Sequence, residues 1–170
     1  MKPPFWGHAM VRLRPILVAP LALLAVGMAG LLPSAAGQAT SPQLVLRPGG
    51  ERFASGDPIW WLELRQGQRQ LGRWAAASGL KQQQTADRRW SPGNGAPLPI
   101  GAYSVGRPEP WGRDLWIDLQ PLFRTTRSAL GIHNCFPGVG CICLPDRAQL
   151  NELAALIRRH GVRRLEVLSR

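Results

Sequence analysis

Residues 131–144 read GIHNCFPGVGCICL and contain all three cysteines of the 170-residue chain, together with one of its three histidines. A cysteine reacts as its thiolate, and a neighbouring imidazole stabilises that anion. His133 precedes Cys141, and Gly138 and Gly140 permit a tight turn with backbone N–H groups open to a developing oxyanion. Of the three cysteines, Cys141 has the surroundings that suit a nucleophile best, and the rest of the chain is predicted to be the scaffold that presents this stretch. On this spacing alone a structural role for His133 is the favoured alternative.

The same stretch allows a metal site as an alternative. Ligands of the types that zinc prefers are present at four positions, namely His133, Cys135, Cys141 and Cys143. The Cys-x-Cys spacing and the lack of a long spacer between ligand pairs are unlike the usual zinc sites. We therefore expect no metal and no cofactor.

An odd number of cysteines leaves at least one thiol unpaired in an oxidising compartment. Cys141 and Cys143 would share one face of a strand, and a bond between them would be strained. A Cys135–Cys143 disulfide with Cys141 free and a fully reduced set of three thiols both remain open.

Residues 1–39 have the features of a secretory signal. Lys2, Arg12 and Arg14 precede an acid-free apolar run over Ile16–Leu32, which small residues follow. An uncleaved membrane anchor is the alternative, because the run approaches the minimum length that spans a bilayer. In either case we expect export to the periplasm or cell envelope.

The chain is strongly basic, with 21 Lys and Arg residues against 10 Asp and Glu residues. Removal of the signal takes away three basic residues and leaves 18 against 10, a net charge of +8. Such an excess favours anionic partners. Export makes nucleic acid an unsuitable partner and an anionic envelope polymer a suitable one.

Residues 40–57 are rich in Pro, Gly and Ser and are predicted to be a linker, with a short edge strand at most over residues 44–46. Residues 58–170 are predicted to form the single folded domain. Its strands are expected at residues 58–65, 69–79, 97–106, 114–119, 130–133, 140–144 and 162–168. Residues 66–68 are the predicted turn of the first hairpin.

One helix is predicted, with Asp146 as its N-cap and Gly161 as its stop. Leu150, Leu153 and Ile157 recur at helical spacing between them. Many short strands and one helix late in the chain predict a mainly β sandwich or barrel, with one helix in the C-terminal half followed by a closing strand.

Tryptophans at strand positions are predicted to belong to the core. Trp90 and Trp111 stand among Pro, Gly and Arg residues, so they are the predicted exposed pair.

Several motifs, in order, resemble the catalytic domain of the L,D-transpeptidases, the YkuD-like family. Residues 131–133 followed by residues 140–144 are similar to its active-site motif. Residues 97–105, PLPIGAYSV, are similar to its TP-x-G-x-Y-x-V segment, and residues 60–79 resemble its opening hairpin.

This resemblance implies an L,D-transpeptidase-like β fold and acyl transfer on peptidoglycan stem peptides through a thioester. Cys141 matches the nucleophile, and His133 matches the histidine that activates it. Asn134 falls at a position whose carbonyl orients that ring, and Gly140 with the Cys141 amide falls at the oxyanion site.

Three further residues are predicted to contact the substrate: Tyr103 in the Pro-Gly segment, Val139 before the nucleophile, and Arg127, which leads into the His133 strand and would bind a stem-peptide carboxylate. We expect a monomer that binds stem peptides, and membrane anchoring only if the signal is retained.

The chain departs from the family pattern at several positions. Gly138 and Val139 replace Ser or Thr followed by His, Cys143 replaces an arginine, and Leu98 replaces a threonine. The loop from His133 to Cys141 is also shorter than usual. These differences fit a divergent member with altered donor specificity, or one that hydrolyses in place of cross-linking. The alternative is a degenerate, non-catalytic domain that binds the cell wall.

Overall fold

A computed structural model describes residues 40–90 and 95–169. The predicted signal, residues 1–39, lies outside the described residues, so its cleavage stays a prediction. None of the helices in the described ranges is long and apolar enough to cross a membrane.

The described chain forms one mixed sheet with the strand order β3-β2-β1-β8-β4-β5-β6-β7. The strands are β1 Gln43–Arg52, β2 Pro58–Gln66, β3 Arg69–Ala76, β4 Gly101–Trp111, β5 Asp114–Pro121, β6 Gly131–Asn134, β7 Ile142–Leu144 and β8 Arg164–Val167. A 3-10 turn spans Lys81–Gln83, and helix α1 spans Arg147–His160. The predicted mainly β fold, with one helix followed by a closing strand, is confirmed.

The predicted linker is wrong over most of its length, because β1 is an interior strand. It pairs antiparallel with β2 and parallel with β8. Leu44 and Leu46 are fully buried, since alternate positions of β1 face the core. The Pro and Gly residues that suggested a linker lie in the second half of β1, where the pairing with β2 becomes irregular between Pro48 and Arg52.

The two ends of the strand order meet through a backbone pair. The Ala77 N–H donates to the Cys143 carbonyl at 2.9 Å, and the Cys143 N–H donates to the Ala77 carbonyl at 2.8 Å. This isolated bridge links the residue after β3 to β7. It gives the sheet a barrel-like closure and brings the end of the first hairpin beside the stretch that holds the cysteines.

Helix α1 begins and ends where the sequence predicts. The Ala148 N–H donates to Asp146 Oδ1 at 2.8 Å, and Gly161 ends the helix in the left-handed conformation with φ of 61°. Its inward face carries four buried residues, Leu150, Leu153, Ala154 and Ile157. They join the strands in one apolar core.

On the outer face of β2, a buried carboxylate is surrounded by arginines. Glu63 is 2% exposed, and its oxygens lie 2.8 Å from Arg47, 3.1 Å from Arg65 and 3.6 Å from Arg73. The three arginine side chains are each more than a third exposed, so solvent screens these pairs. Glu63 nevertheless joins three neighbouring strands from the solvent side.

We expect Glu63→Ala to lower the free energy of unfolding by about 2 kcal/mol, because it leaves three arginines without their shared acceptor. Urea denaturation of the oxidised protein measures this change. The matched control is Glu109→Ala, at an exposed position of β4, with an expected change below about 0.5 kcal/mol. Equal effects for the two substitutions would contradict a role for Glu63 in joining the strands.

Candidate active site

The parallel pair of β6 and β7 places His133 and Cys143 on one face of the sheet, with Cys141 just before β7. Ile132 pairs with Ile142, and both are buried in the core. His133 pairs with Cys143, so these side chains point away from the core. Cys141 lies just before β7, two residues before Cys143, and strand alternation continued to this residue predicts the same face, diagonally from His133.

Cys135 and Cys143 form a disulfide with their Cα atoms 4.9 Å apart, and Cys141 is free. The structure thus has one of the two arrangements that the sequence leaves open. Three atoms lie within 4.8 Å of one another: the sulfurs of Cys135 and Cys143 and one ring nitrogen of His133. Two of the four candidate metal ligands are consumed in the disulfide, so in this oxidised form they offer no thiolate to a metal.

The His133 imidazole is enclosed by aromatic rings and by the disulfide. Its centroid lies 5.1 Å from that of Trp116 and 5.3 Å from that of Trp111. Its Nε2 lies 3.2 Å from Cys135 Sγ. Its Nδ1 is buried and has no hydrogen-bond partner in the part of the chain that the structure describes.

Burial lowers the pKa of His133, and the backbone of Asn134 and the charge of Asp114 only partly oppose this shift. The imidazole is therefore neutral at pH 7, the form in which it can accept a proton.

Cys141 is partly exposed, and its thiol contacts the loop before β6. Its Sγ lies 3.6 Å from the Ala129 carbonyl oxygen, which accepts from the thiol. Burial raises the pKa of Cys141, while a backbone contact with Gly131 and the charge of Arg127 lower it. Within residues 40–90 and 95–169 no hydrogen bond joins Cys141 to His133, so activation of the thiol by His133 stays a prediction.

Gly140 and Arg127 are packed tightly against each other. Gly140 has φ of 97°, and a methyl group there would overlap Nη2 of Arg127. The buried guanidinium donates to the carbonyls of Arg88 at 3.2 Å, Ala96 at 3.4 Å and Pro97 at 3.5 Å. Among described carboxylates, none lies within ion-pair distance of it. The Arg127 guanidinium is thus a fixed positive charge next to Gly140. Its contact with a substrate carboxylate stays a prediction.

The predicted substrate contact by Tyr103 is wrong. Alternation along β4 directs Tyr103 and Val105 into the core, and the Tyr103 ring is fully buried. Its hydroxyl donates to the Pro99 carbonyl at 2.6 Å. Burial raises the pKa of this phenol well above its usual value. Tyr103 therefore positions the Pro97–Ile100 segment from beneath.

Asn134 immediately precedes the loop that the Cys135–Cys143 disulfide closes, and Val139 lies within that loop. The Asn134 amide donates to the carbonyls of Leu144 at 2.8 Å and Pro145 at 3.1 Å, which fixes the end of β6 to the end of β7. Val139 is 63% exposed and so is accessible to a substrate. The catalytic role of Asn134 and the substrate contact of Val139 stay predictions.

An aromatic groove lies beside the thiol. It has a volume of about 340 Å³ and is lined by Glu109, Pro110, Trp111, Trp116 and Ala129. Because the Ala129 carbonyl is also the partner of the Cys141 thiol, the groove opens next to the predicted nucleophile.

The predicted exposed tryptophan pair is confirmed. The side chain of Trp111 is 54% exposed and that of Trp90 is 53% exposed.

Two residues of the site were not identified from the sequence. Ala129 adopts φ of 51°, a left-handed conformation that only a small fraction of non-glycine residues adopt, and no Gly or Asn at this position signals it. Trp116 covers Gly131, where a methyl group would overlap its indole, and stacks on His133. Trp116 is the register partner of His133 across β5 and β6, and this pairing becomes visible only once the register of the two strands is known.

No protein-family model, no curated protein and no solved structure matches the chain. Its function is therefore inferred from its own residues and from the resemblance that their order carries.

We expect iodoacetamide, applied without reductant in denaturant, to label the chain once, at Cys141. After reduction it should label the chain three times, since the other two sulfurs are in the disulfide. Intact and peptide mass spectrometry measure both states, and Cys141→Ala should take no label before reduction. Three labels without reductant would exclude the disulfide.

We expect the alkylation rate of Cys141 in the native protein to be still rising above pH 9, because burial raises the pKa of its thiol. Arg127→Met should lower the rate at pH 8 severalfold, since losing the cation raises that pKa further. Arg127→Lys should retain most of the rate, and Arg124→Met, at an exposed position, should leave it unchanged. A profile that levels off below pH 8 would contradict a buried, poorly ionised thiol.

Proposed function

We propose that the chain is an exported cysteine acyltransferase that acts on peptidoglycan stem peptides, of the L,D-transpeptidase or L,D-carboxypeptidase type. The observation that carries the proposal is the surroundings of Cys141. This free thiol has a buried cation and a groove near it, and a neutral histidine lies on β6, the strand that pairs with β7. The order of motifs that resembles the YkuD-like family supplies the substrate class.

In the proposed reaction, His133 takes the Cys141 proton and the thiolate attacks the carbonyl between the L- and D-centres. The amide C–N bond breaks, the amine leaves with the proton from His133, and a thioester forms. An acceptor amine then attacks the thioester to form a new amide, or water attacks it to form a carboxylate. Either step releases the thiol, so no external oxidant or reductant is consumed.

The oxyanion that develops during the attack would lie near the Cys141 amide. The positive φ of Gly140 sets the direction of the backbone just before Cys141, and the Arg127 guanidinium places a fixed positive charge beside Gly140. Preorganised donors and charges of this kind stabilise a developing anion without reorganisation. Arg127 also favours the thiolate form of Cys141, in opposition to the effect of burial.

His133 has to change its partner for this chemistry. In the structure its Nε2 faces Cys135 Sγ at 3.2 Å. Rotation of the side chain toward the diagonal position would bring the ring to Cys141. Substrate bound in the groove, against Trp111 and Trp116, would contact the same aromatic rings that now hold the imidazole.

We expect purified protein to convert muropeptides into cross-linked or trimmed products, and Cys141→Ala to lower that rate by about 10³-fold or more because the nucleophile is lost. Liquid chromatography with mass spectrometry measures the products. Exposure to an acylating carbapenem should add one adduct, which peptide mapping places at Cys141.

The matched controls are Cys141→Ser, which should retain the fold with little turnover, and Lys81→Ala, an exposed position away from the site that should retain full turnover. Unchanged product formation by Cys141→Ala would remove the assignment of the nucleophile.

The contact between His133 and the disulfide favours a second candidate, a domain that binds cell wall without catalysis. The His133 imidazole contacts Cys135 Sγ, and burial raises the pKa of the Cys141 thiol that His133 would have to activate. Such a domain would sediment with peptidoglycan equally well as wild type and as Cys141→Ala, and it would form neither product nor carbapenem adduct.

A further inference from the structure

A second cavity lies at the C-terminal end of α1 and shares no lining residue with the aromatic groove. Its volume is about 370 Å³. It is lined by Arg107, Pro108, Ile157, Arg158, Gly161 and Arg163. None of these residues belongs to the proposed active site, so the cavity calls for its own explanation.

The sheet topology creates this cavity. Strand β8 pairs with β4 only over Gly101–Ser104, so β4 continues well past the end of its neighbour. The pairing of β4 with β5 is irregular between Val105 and Pro108, which alters the direction of the side chains there. The last turn of α1 lies over this part of β4, where Arg158 Nη2 donates to the Pro108 carbonyl at 3.1 Å.

Three arginines from three different elements line the cavity. Arg107 comes from β4, Arg158 from α1, and Arg163 from the connection between α1 and β8. Among the described residues, no acidic residue lines the cavity and none of the three arginines forms an ion pair. A guanidinium carries five N–H donors, so Arg158 keeps donors beyond the one used on Pro108.

The charge balance favours an anion in the cavity. The carbonyl end of a helix carries about half a negative charge, whereas three guanidinium groups supply three positive ones. The three arginines are exposed, yet all of them line the same concavity, and no described acidic residue lines it. A bound anion would relieve their mutual repulsion.

We propose that this cavity binds a phosphoryl group carried by a larger molecule. The planar guanidinium fork matches phosphate oxygens in a bidentate manner, and a phosphate has enough oxygens for several arginines at once. A cavity of about 370 Å³ holds more than a bare phosphate, so the group is an ester whose remainder occupies the opening. Two sources have this chemistry, an anionic lipid headgroup and a soluble phosphate ester.

The test compares the full chain with Arg107→Ala/Arg163→Ala. Calorimetry with inorganic phosphate and with glycerol 3-phosphate examines the soluble source, and flotation with phosphatidylglycerol vesicles examines the headgroup. We expect saturable binding by the wild type and binding at least about tenfold weaker by the double variant, because each lost guanidinium removes charge-assisted hydrogen bonds. Binding that weakens as the salt concentration rises is also expected.

The matched control is Arg69→Ala/Lys81→Ala, which removes the same charge from exposed positions outside the cavity. It should bind within about twofold of wild type, and any vesicle affinity of the apolar N-terminal run is common to all three proteins. Saturable binding of glycerol 3-phosphate would identify the soluble source, and binding of vesicles alone would identify the headgroup. Equal losses in the two double variants, or no saturable binding of any probe, would overturn the proposal.

The outcome is independent of the proposed acyl transfer. Neither Arg107 nor Arg163 lines the aromatic groove, so the double variant should keep the muropeptide turnover of wild type.

Discussion

The rest of the structure depends on the backbone pair between Ala77 and Cys143. Two hydrogen bonds at 2.8 and 2.9 Å join the residue after β3 to β7 and so connect the ends of the strand order. Ser78, next along the chain, then accepts from the Leu98 N–H at 2.9 Å. The carbonyls of Ala96 and Pro97 then accept from Arg127, which packs against Gly140. This closure brings the end of the first hairpin close to the residues before Cys141.

Much of the fold could be predicted from local patterns. Alternation marked β2 and β5, and Asp146 and Gly161 marked the limits of α1 because caps are local. The same reasoning failed for β1, since its role depends on β2 and β8, which are distant in sequence. Local composition, rich in Pro and Gly, contradicted that tertiary role. Tyr103 shows the same limit: a motif position indicated substrate, but strand alternation buried the ring.

The candidate site was predictable in its location but not in its contacts. The sequence suggested the two strands that bring His133 and the Cys141 region together, and these strands pair side by side. The orientation of His133 depends on Trp111 and Trp116, which reach it from another hairpin. The carbonyl of Ala129 meets the thiol only because that residue adopts a left-handed conformation, which its side chain does not indicate.

Cys143 carries two links at once, because the residue that closes the sheet through its backbone also bonds Cys135 through its sulfur. Disulfides persist in oxidising compartments and are rare in reducing ones. A chain still in a reducing cytosol would hold the loop before β7 by non-covalent contacts alone, with the Cys135 thiol beside His133. Formation of this disulfide leaves one free sulfur, Cys141, where the reduced chain has three.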